Sequence, residues 1–141
     1  MIISVSRRTD VPAYFSKWFF EQLLKGSCTV ANPFNPNQIY NVDLTPSNVT
    51  AFVFWTRNPA PMLRKLHLLD NYKYYFLITI NNYPKIYERK VLKVERAVKH
   101  FQELSNTIGS NKVIWRYDPV FFTNDCDEDF HLRNFKEICS Q

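Results

Sequence analysis

The chain has 141 residues, of which 45% are hydrophobic and 16% aromatic, and it carries a formal net charge of +5 at pH 7. This length predicts one domain, residues 1–141, and a sequence with two glycines and no low-complexity segment is not expected to be disordered. No apolar stretch is long enough to span a membrane and no signal peptide is evident, so we expect no membrane partner. Cys28, Cys126 and Cys139 are far apart and odd in number, which predicts a cytoplasmic protein rather than a disulfide framework.

In the first third of the chain, a strand and a helix precede a predicted hairpin. The strand lies near residues 2–6, and a helical pattern follows from Ala13 to Lys25 and ends at Gly26. Short alternating runs on either side of residues 32–36 predict a β-hairpin or an ordered excursion. The sequence Asn-Pro-Phe-Asn-Pro in that segment could form a lid over a site, although a rigid turn is the simpler interpretation.

The rest of the chain continues the alternation of strands and helices. The predicted elements are, in order, a strand at 51–55, a short helix at 61–69, a strand at 74–80, a long helix at 86–108, a strand at 112–116 and a helix from about Asp127. Such alternation predicts parallel pairing with right-handed crossovers.

Four βα units amount to half of a TIM-type barrel, which usually takes about 250 residues. We therefore expect an α/β fold with parallel βα repeats, a partial (half) TIM-type barrel with a small β-hairpin insertion. The sequence ends inside a helical pattern, so we expect a fragment, a natural truncation or a half-barrel. A half-barrel would form a homodimer or pair with a missing C-terminal half.

Polar residues follow each of the four predicted strands, and three of these four breaks carry arginine. Parallel α/β folds gather their chemistry at the carboxyl ends of their strands. If the four strands are neighbours, Arg8, Arg57 and Arg116 converge on one rim. Because arginine binds carboxylate or phosphate bidentately, the rim predicts a site for an anionic small molecule or a nucleotide.

The candidate ligand-binding residues lie in three of these breaks: Arg7, Arg8, Asp10, Trp55, Thr56, Arg57, Asn58, Arg116 and Asp118. Asp10 could position Arg8 or accept a proton, and the indole of Trp55 beside Arg57 could stack on a base. The alternatives are an arginine–aspartate pair that closes a strand end and a core tryptophan beside a solvated arginine. No catalytic residue is assigned.

Other polar residues give weaker signals. Asn81 and Asn82 precede a Tyr-Pro turn and are typical turn formers. His67, His100 and His131 have no ligand spacing and are expected on the surface or on helix faces, so no metal site is predicted. With two glycines, a glycine-rich phosphate loop is absent from the sequence.

Taken together, four motifs resemble the bacterial "domain of unknown function 1848" family over essentially the whole chain. The motifs are residues 4–10, 32–36, 54–59 and 115–119. The resemblance is to the N-terminal half of that family, which has no established activity. It implies that full-length members carry a C-terminal cysteine cluster similar to the signature of radical S-adenosylmethionine enzymes. An iron–sulfur cluster and S-adenosylmethionine are therefore expected only in full-length relatives, and no cofactor is expected in this chain.

The leading hypothesis is part of a TIM-barrel-like enzyme that binds an anionic or nucleotide-like ligand at the rim, with Asp10 and Asp118 orienting the arginines. Whether this chain is itself an enzyme stays open. The net charge and the aromatic content allow a basic nucleic-acid-binding module instead. The third alternative is an inactive truncated remnant with exposed strand edges.

Overall fold

The computed structural model describes every residue except Arg7, so that candidate lies outside the described residues. The strands are β1 (Ile2–Ser4), β2 (Ser27–Asn32), β3 (Asn35–Asp43), β4 (Ala51–Thr56), β5 (Tyr74–Thr79) and β6 (Val113–Arg116). The α-helices are α1 (Val11–Tyr14), α2 (Ser16–Lys25), α3 (Ala60–Leu63), α4 (Val94–Ile108) and α5 (Glu128–Cys139). Short 3₁₀ turns lie at Leu66–Leu69 and Ser110–Lys112. None of the described helices is both long and apolar enough to cross a membrane.

The main sheet has four parallel strands in the order β1-β4-β5-β6. This order follows the chain once the hairpin is set aside, and the expectation of parallel βα repeats is confirmed. Strand β1 is shorter than expected, but Val5 still donates its N–H to the carbonyl of Val53 at 3.0 Å. The carboxyl ends of the four strands therefore lie along one edge, hereafter the carboxyl edge.

The predicted insertion is an antiparallel hairpin of β2 and β3, which forms a separate two-stranded sheet. Its tip is held by Asn32, whose Oδ1 accepts the N–H of Phe34 at 2.9 Å and whose Nδ2 donates to Gln38 at 2.6 Å. These bonds within the hairpin agree with a rigid turn at residues 32–36.

The first two predicted helices are each divided in two. The segment from Ala13 to Lys25 begins earlier, at Val11, and breaks at Phe15. Asp10 causes the earlier start because its side chain caps α1, with a proline in the first turn. The segment over 61–69 consists of α3 followed by a 3₁₀ turn.

The longest helix begins at Val94 rather than at residue 86, so the predicted start was wrong. The apolar spacing before Val94 resembles a helix, but the backbone forms turns there. The carbonyl of Pro84 accepts the N–H of Tyr87 at 2.9 Å, and Lys85 Nζ donates to the carbonyl of Val91 at 2.8 Å. The turn brings Glu88 to the carboxyl edge, where it meets Arg57.

The core lies on one face of the parallel sheet. Phe54 and Phe76 are neighbours in register, have no exposed surface and stack with ring centroids 4.6 Å apart. Phe19 of α2 packs edge-on against Phe52 and Phe54. On the opposite face, Trp55 is 36% exposed. Parallel sheets are normally covered on both faces, and here one face is covered and the other is partly open, since Val53 on that face is buried.

Candidate functional site

Asp10 joins the segment after β1 to the end of β4. Its Oδ1 accepts the N–H of Ala13 at 3.0 Å, and its Oδ2 accepts the N–H of Arg57 at 2.8 Å. Asp10 therefore fixes both the start of α1 and the backbone of Arg57. The described hydrogen bonds of Asp10 are with these two backbone N–H groups, and the expectation that Asp10 positions Arg8 or accepts a proton stays a prediction.

Arg57 forms an ion pair with Glu88, with Nη1 of the arginine 2.6 Å from Oε1 of the glutamate. The side chain of Glu88 is 13% exposed and that of Arg57 is 33% exposed. This Nη1 is buried, and Glu88 is its charge partner in the described part of the chain. A cavity of about 300 Å³ borders Arg57 together with Asp10 and Lys90.

At the end of β6, Arg116 is paired with Asp118, as the sequence suggested. The guanidinium carbon of Arg116 lies 4.6 Å from the centroid of the Trp55 ring on β4, which is a cation–π contact. Trp55 is therefore a surface platform partly covered by Arg116, not a buried core residue.

Asn81 holds the ends of β5 and β6 together. It is 1% exposed, its Oδ1 accepts the N–H of Asp118 at 3.0 Å, and its Nδ2 donates to the carbonyl of Asp118 at 3.0 Å. The same Nδ2 lies 3.5 Å from Oε1 of Glu88. Asn81 thus fixes the backbone of Asp118 and lies beside the carboxylate of Glu88, a role beyond the turn former suggested by its sequence.

Thr56 and Asn58 shape the turn that follows β4. Thr56 is buried, and its Oγ1 accepts the N–H of Asn58 at 2.9 Å. Oδ1 of Asn58 accepts the N–H of Ala60 at 3.2 Å and lies 3.1 Å from Nδ1 of His100. Burial lowers the pKa of His100. The contacts of both candidates are therefore with this turn and with α4.

A buried polar network supports the end of β6. His131 is 8% exposed, and its Nε2 lies 2.9 Å from the carbonyl of Phe121, which requires Nε2 to be the donor. For a neutral ring, Nδ1 then accepts from the hydroxyl of Tyr117 at 2.9 Å. That hydroxyl in turn accepts from Nδ2 of Asn134 at 3.0 Å. Spacing in the sequence does not reveal this network because Tyr117 and Phe121 lie outside α5, the helix that carries His131 and Asn134.

Arg8 has different contacts from the other two candidate arginines, Arg57 and Arg116. Its Nη2 donates to the carbonyl of Ala31 in the hairpin at 2.7 Å. The described contacts thus connect Asp10, Arg57 and Glu88, and separately Arg116, Asp118 and Trp55, with Asn81 between the two groups. They do not join Arg8 to either group.

No cluster of three or more histidine, cysteine, aspartate or glutamate side chains suited to a metal ion occurs among the described residues. All three cysteines are free: Cys28 is partly buried, Cys126 is buried and Cys139 is exposed. Burial raises the pKa of the Cys28 thiol. An iron–sulfur cluster needs several thiolates around one centre, and these cysteines do not provide that set.

Comparison with known proteins gives one match. A family model described as Domain of unknown function (DUF1848) matches residues 2–141, nearly the whole chain. Neither the curated proteins nor the solved structures provide a match.

Proposed function

The chain belongs to the domain of unknown function 1848 family, and we propose that it is half of a TIM-type barrel whose carboxyl edge binds a nucleotide-like ligand. The barrel proposal is supported by the strand order, which follows the chain, and by the open face opposite the helices. In a barrel, the helices surround the outside and the other face of the sheet lines the inside. We propose that a second copy or a C-terminal half covers this open face.

The observation that carries the ligand proposal is the contact of Arg116 with the exposed ring of Trp55, at the strand end that also carries Arg57. Trp55 and Arg57 are two residues apart on one chain, a spacing of about 7 Å in extended backbone. A planar ring placed against Trp55 and Arg116 would extend their stack. The anionic group of the same ligand would then reach Arg57 and the cavity that Lys90 borders.

The charges at the carboxyl edge favour a nucleotide over a bare anion or a nucleic acid. Arg57 and Arg116 are each paired with a carboxylate, from Glu88 and Asp118. The exocyclic amino group of a base such as adenine donates to carboxylates, whereas the phosphate of the nucleotide accepts from arginine and lysine. A polyanion would instead require an unbroken positive surface. We assign no reaction to the site and propose no cluster ligands within residues 1–141. We also propose a cytoplasmic location, which the odd number of widely separated cysteines supports.

The test is isothermal titration of the full chain with adenosine 5′-monophosphate, adenosine and inorganic phosphate. We expect Trp55→Ala to weaken the binding of the monophosphate and of adenosine about tenfold, because stacking on a base contributes about 1–3 kcal/mol. We expect Lys90→Ala to weaken the monophosphate and phosphate but not adenosine.

Trp18→Ala and Lys136→Ala are the matched controls, since each removes an exposed side chain of the same type elsewhere on the surface. Circular dichroism establishes that all four variants are folded. Equal affinities for wild type, Trp55→Ala and Lys90→Ala would contradict the proposal. Binding of a DNA oligonucleotide that falls steeply with salt, without binding of the monophosphate, would favour the nucleic-acid alternative.

A further inference from the structure

A second concave surface lies away from the Trp55–Arg116 pair. It is a cleft of about 470 Å³ between the segment after β1, the corner between α1 and α2, and the hairpin. Its apolar lining comes from all three elements: Val5, Val11, Phe15, Trp18 and Val30. A volume of this size falls within the range of about 300–1,000 Å³ that is usual for small-molecule sites.

Three large apolar side chains are exposed in this one cleft. Phe15 is 48% exposed, Trp18 is 43% exposed and Val30 is 37% exposed. Helix α2 packs into the core through other residues, Phe19, Phe20 and Leu23, so the core does not require Phe15 or Trp18. Single exposed apolar residues are common, but several that converge on one concavity indicate a binding surface.

Arg8 supplies the charge of the cleft, whose other polar lining residues are Ser4 and Thr9. Its hydrogen bond to the carbonyl of Ala31 fixes one Nη beside the hairpin. Arginine has five N–H donors, so this bond leaves others for a ligand. In the described part of the chain, Arg57 and Arg116 have carboxylate partners, whereas the ion pairs found there do not include Arg8. The charge that complements an unpaired guanidinium beside an apolar cleft is a single anionic group on an apolar molecule.

We propose that this cleft binds a small amphipathic carboxylate. The apolar body lies against Phe15 and Trp18, and the carboxylate binds the guanidinium of Arg8. This site is separate from the proposed nucleotide site, since none of its lining residues belongs to the Trp55–Arg116 pair or to the Arg57–Glu88 pair.

The experiment measures the binding of octanoate and of 1-octanol to the full chain by isothermal titration. The two probes share an apolar body and differ in charge. We expect Arg8→Ala to weaken octanoate about tenfold, since a charge-assisted hydrogen bond contributes about 1.5–3 kcal/mol, and to leave octanol unchanged. We expect Trp18→Ala to weaken both probes.

Arg64→Ala controls for the loss of one exposed positive charge, and Trp55→Ala controls for the loss of one exposed indole. Neither is expected to change octanoate binding. Octanoate binding that Arg8→Ala does not weaken would overturn the proposal, as would the absence of binding at millimolar octanoate. Sedimentation could also show a dimer that Trp18→Ala dissociates and that octanoate does not. That result would assign the cleft to a second copy of the chain and would overturn the proposal. Adenosine monophosphate binding is measured in parallel, so that failure of the octanoate proposal is distinguishable from failure of the proposed nucleotide site.

Discussion

Two adjacent rows of residues cross the same three strands and differ in their exposure to solvent. Phe54, Phe76 and Val113 are in register across β4, β5 and β6 and are 0%, 0% and 7% exposed. The next row, Trp55, Leu77 and Ile114, faces the other way, and its ends are 36% and 48% exposed. Successive residues of a strand point to opposite faces of the sheet, so the first row lies in the core and the next row lies on the open face.

The two rows differ in the role that we infer for them, stability for the covered row and binding for the open row. The first row is covered by helices, with Phe19 of α2 packed edge-on against Phe54 at a centroid distance of 5.3 Å. The second row continues at the carboxyl edge into Arg57 and Arg116, which carry the proposed ligand contacts. We infer that the first row holds the domain together and that the second row is available for a ligand and for a covering partner.

The largest expected effect is the destabilisation caused by Phe54→Ala. Removing a fully buried phenylalanine should lower the free energy of unfolding by about 3–5 kcal/mol, because it loses burial and leaves a cavity. Urea denaturation followed by circular dichroism measures this change. The partner variant Ile114→Ala should cost less than about 1 kcal/mol, because Ile114 is about half exposed. Equal losses in the two variants would mean that the second face is covered as well.

A smaller loss of stability is expected from Asp10→Ala, which acts at the carboxyl edge beside the end of β4. Asp10→Ala removes the cap of α1 and the acceptor for the N–H of Arg57, so it should cost about 2 kcal/mol in the free energy of unfolding. Asp10→Asn keeps one amide oxygen and should recover part of this loss. If Asp10→Ala unfolds at the same urea concentration as the wild type, the carboxylate does not organise this edge.

The pH dependence of stability distinguishes buried from exposed tyrosines. Burial, with a smaller contribution from neighbouring Tyr117, raises the pKa of Tyr83 to about 12, and its hydroxyl donates to the carbonyl of Pro119 at 2.7 Å. The unfolded chain then loses this proton near pH 10, before the folded protein does, so stability is full below about pH 10 and falls as the pH rises towards 12.

Tyr83→Phe should remove this contribution and show a shallower fall in stability than the wild type between pH 10 and 12. It should also be about 1 kcal/mol less stable at neutral pH, because the hydrogen bond to Pro119 is lost. The exposed residue Tyr14 provides the control Tyr14→Phe, which should follow the wild type. Identical slopes for Tyr83→Phe and wild type would show that Tyr83 does not contribute.

The clearest effect on assembly is expected from Ile114→Asp on the open row. Its cost in stability should be about 1 kcal/mol, because Ile114 is about half exposed and aspartate is disfavoured in strands. If a second copy covers this face, sedimentation should show a dimer for the wild type and a monomer for the variant. A wild-type dimer that persists in Ile114→Asp would place the contact between copies elsewhere.

The sequence predicted the parallel order and the hairpin because both depend on local patterns. Apolar runs, prolines and turn residues marked the four strands and the segment at 32–36. The start of α4 was misplaced because residues 86–93 have helical spacing but form turns around Lys85 and Glu88. Local periodicity does not report contacts made with a distant strand.

The sequence predicted those contacts of the candidate site that join residues close together along the chain, and it missed the contacts between distant residues. The Arg116–Asp118 pair was anticipated because its members are two residues apart. Glu88, Asn81 and the contact of Trp55 with Arg116 join residues that are distant in sequence, and no motif connects them. Asp10 was recognised as a candidate, but its hydrogen bond with the backbone N–H of Arg57 joins residues distant in sequence, so no motif indicated that contact.

The most direct test of the account is the fluorescence of Trp55 during titration with adenosine 5′-monophosphate. Trp18→Phe and Trp115→Phe together leave Trp55 as the single indole. We predict a saturable change in emission that Arg116→Ala greatly weakens, because the ligand ring would stack beside this pair. An emission spectrum that does not change at saturating nucleotide, in a variant shown to be folded, would contradict the claim that the open face of the sheet carries the ligand site.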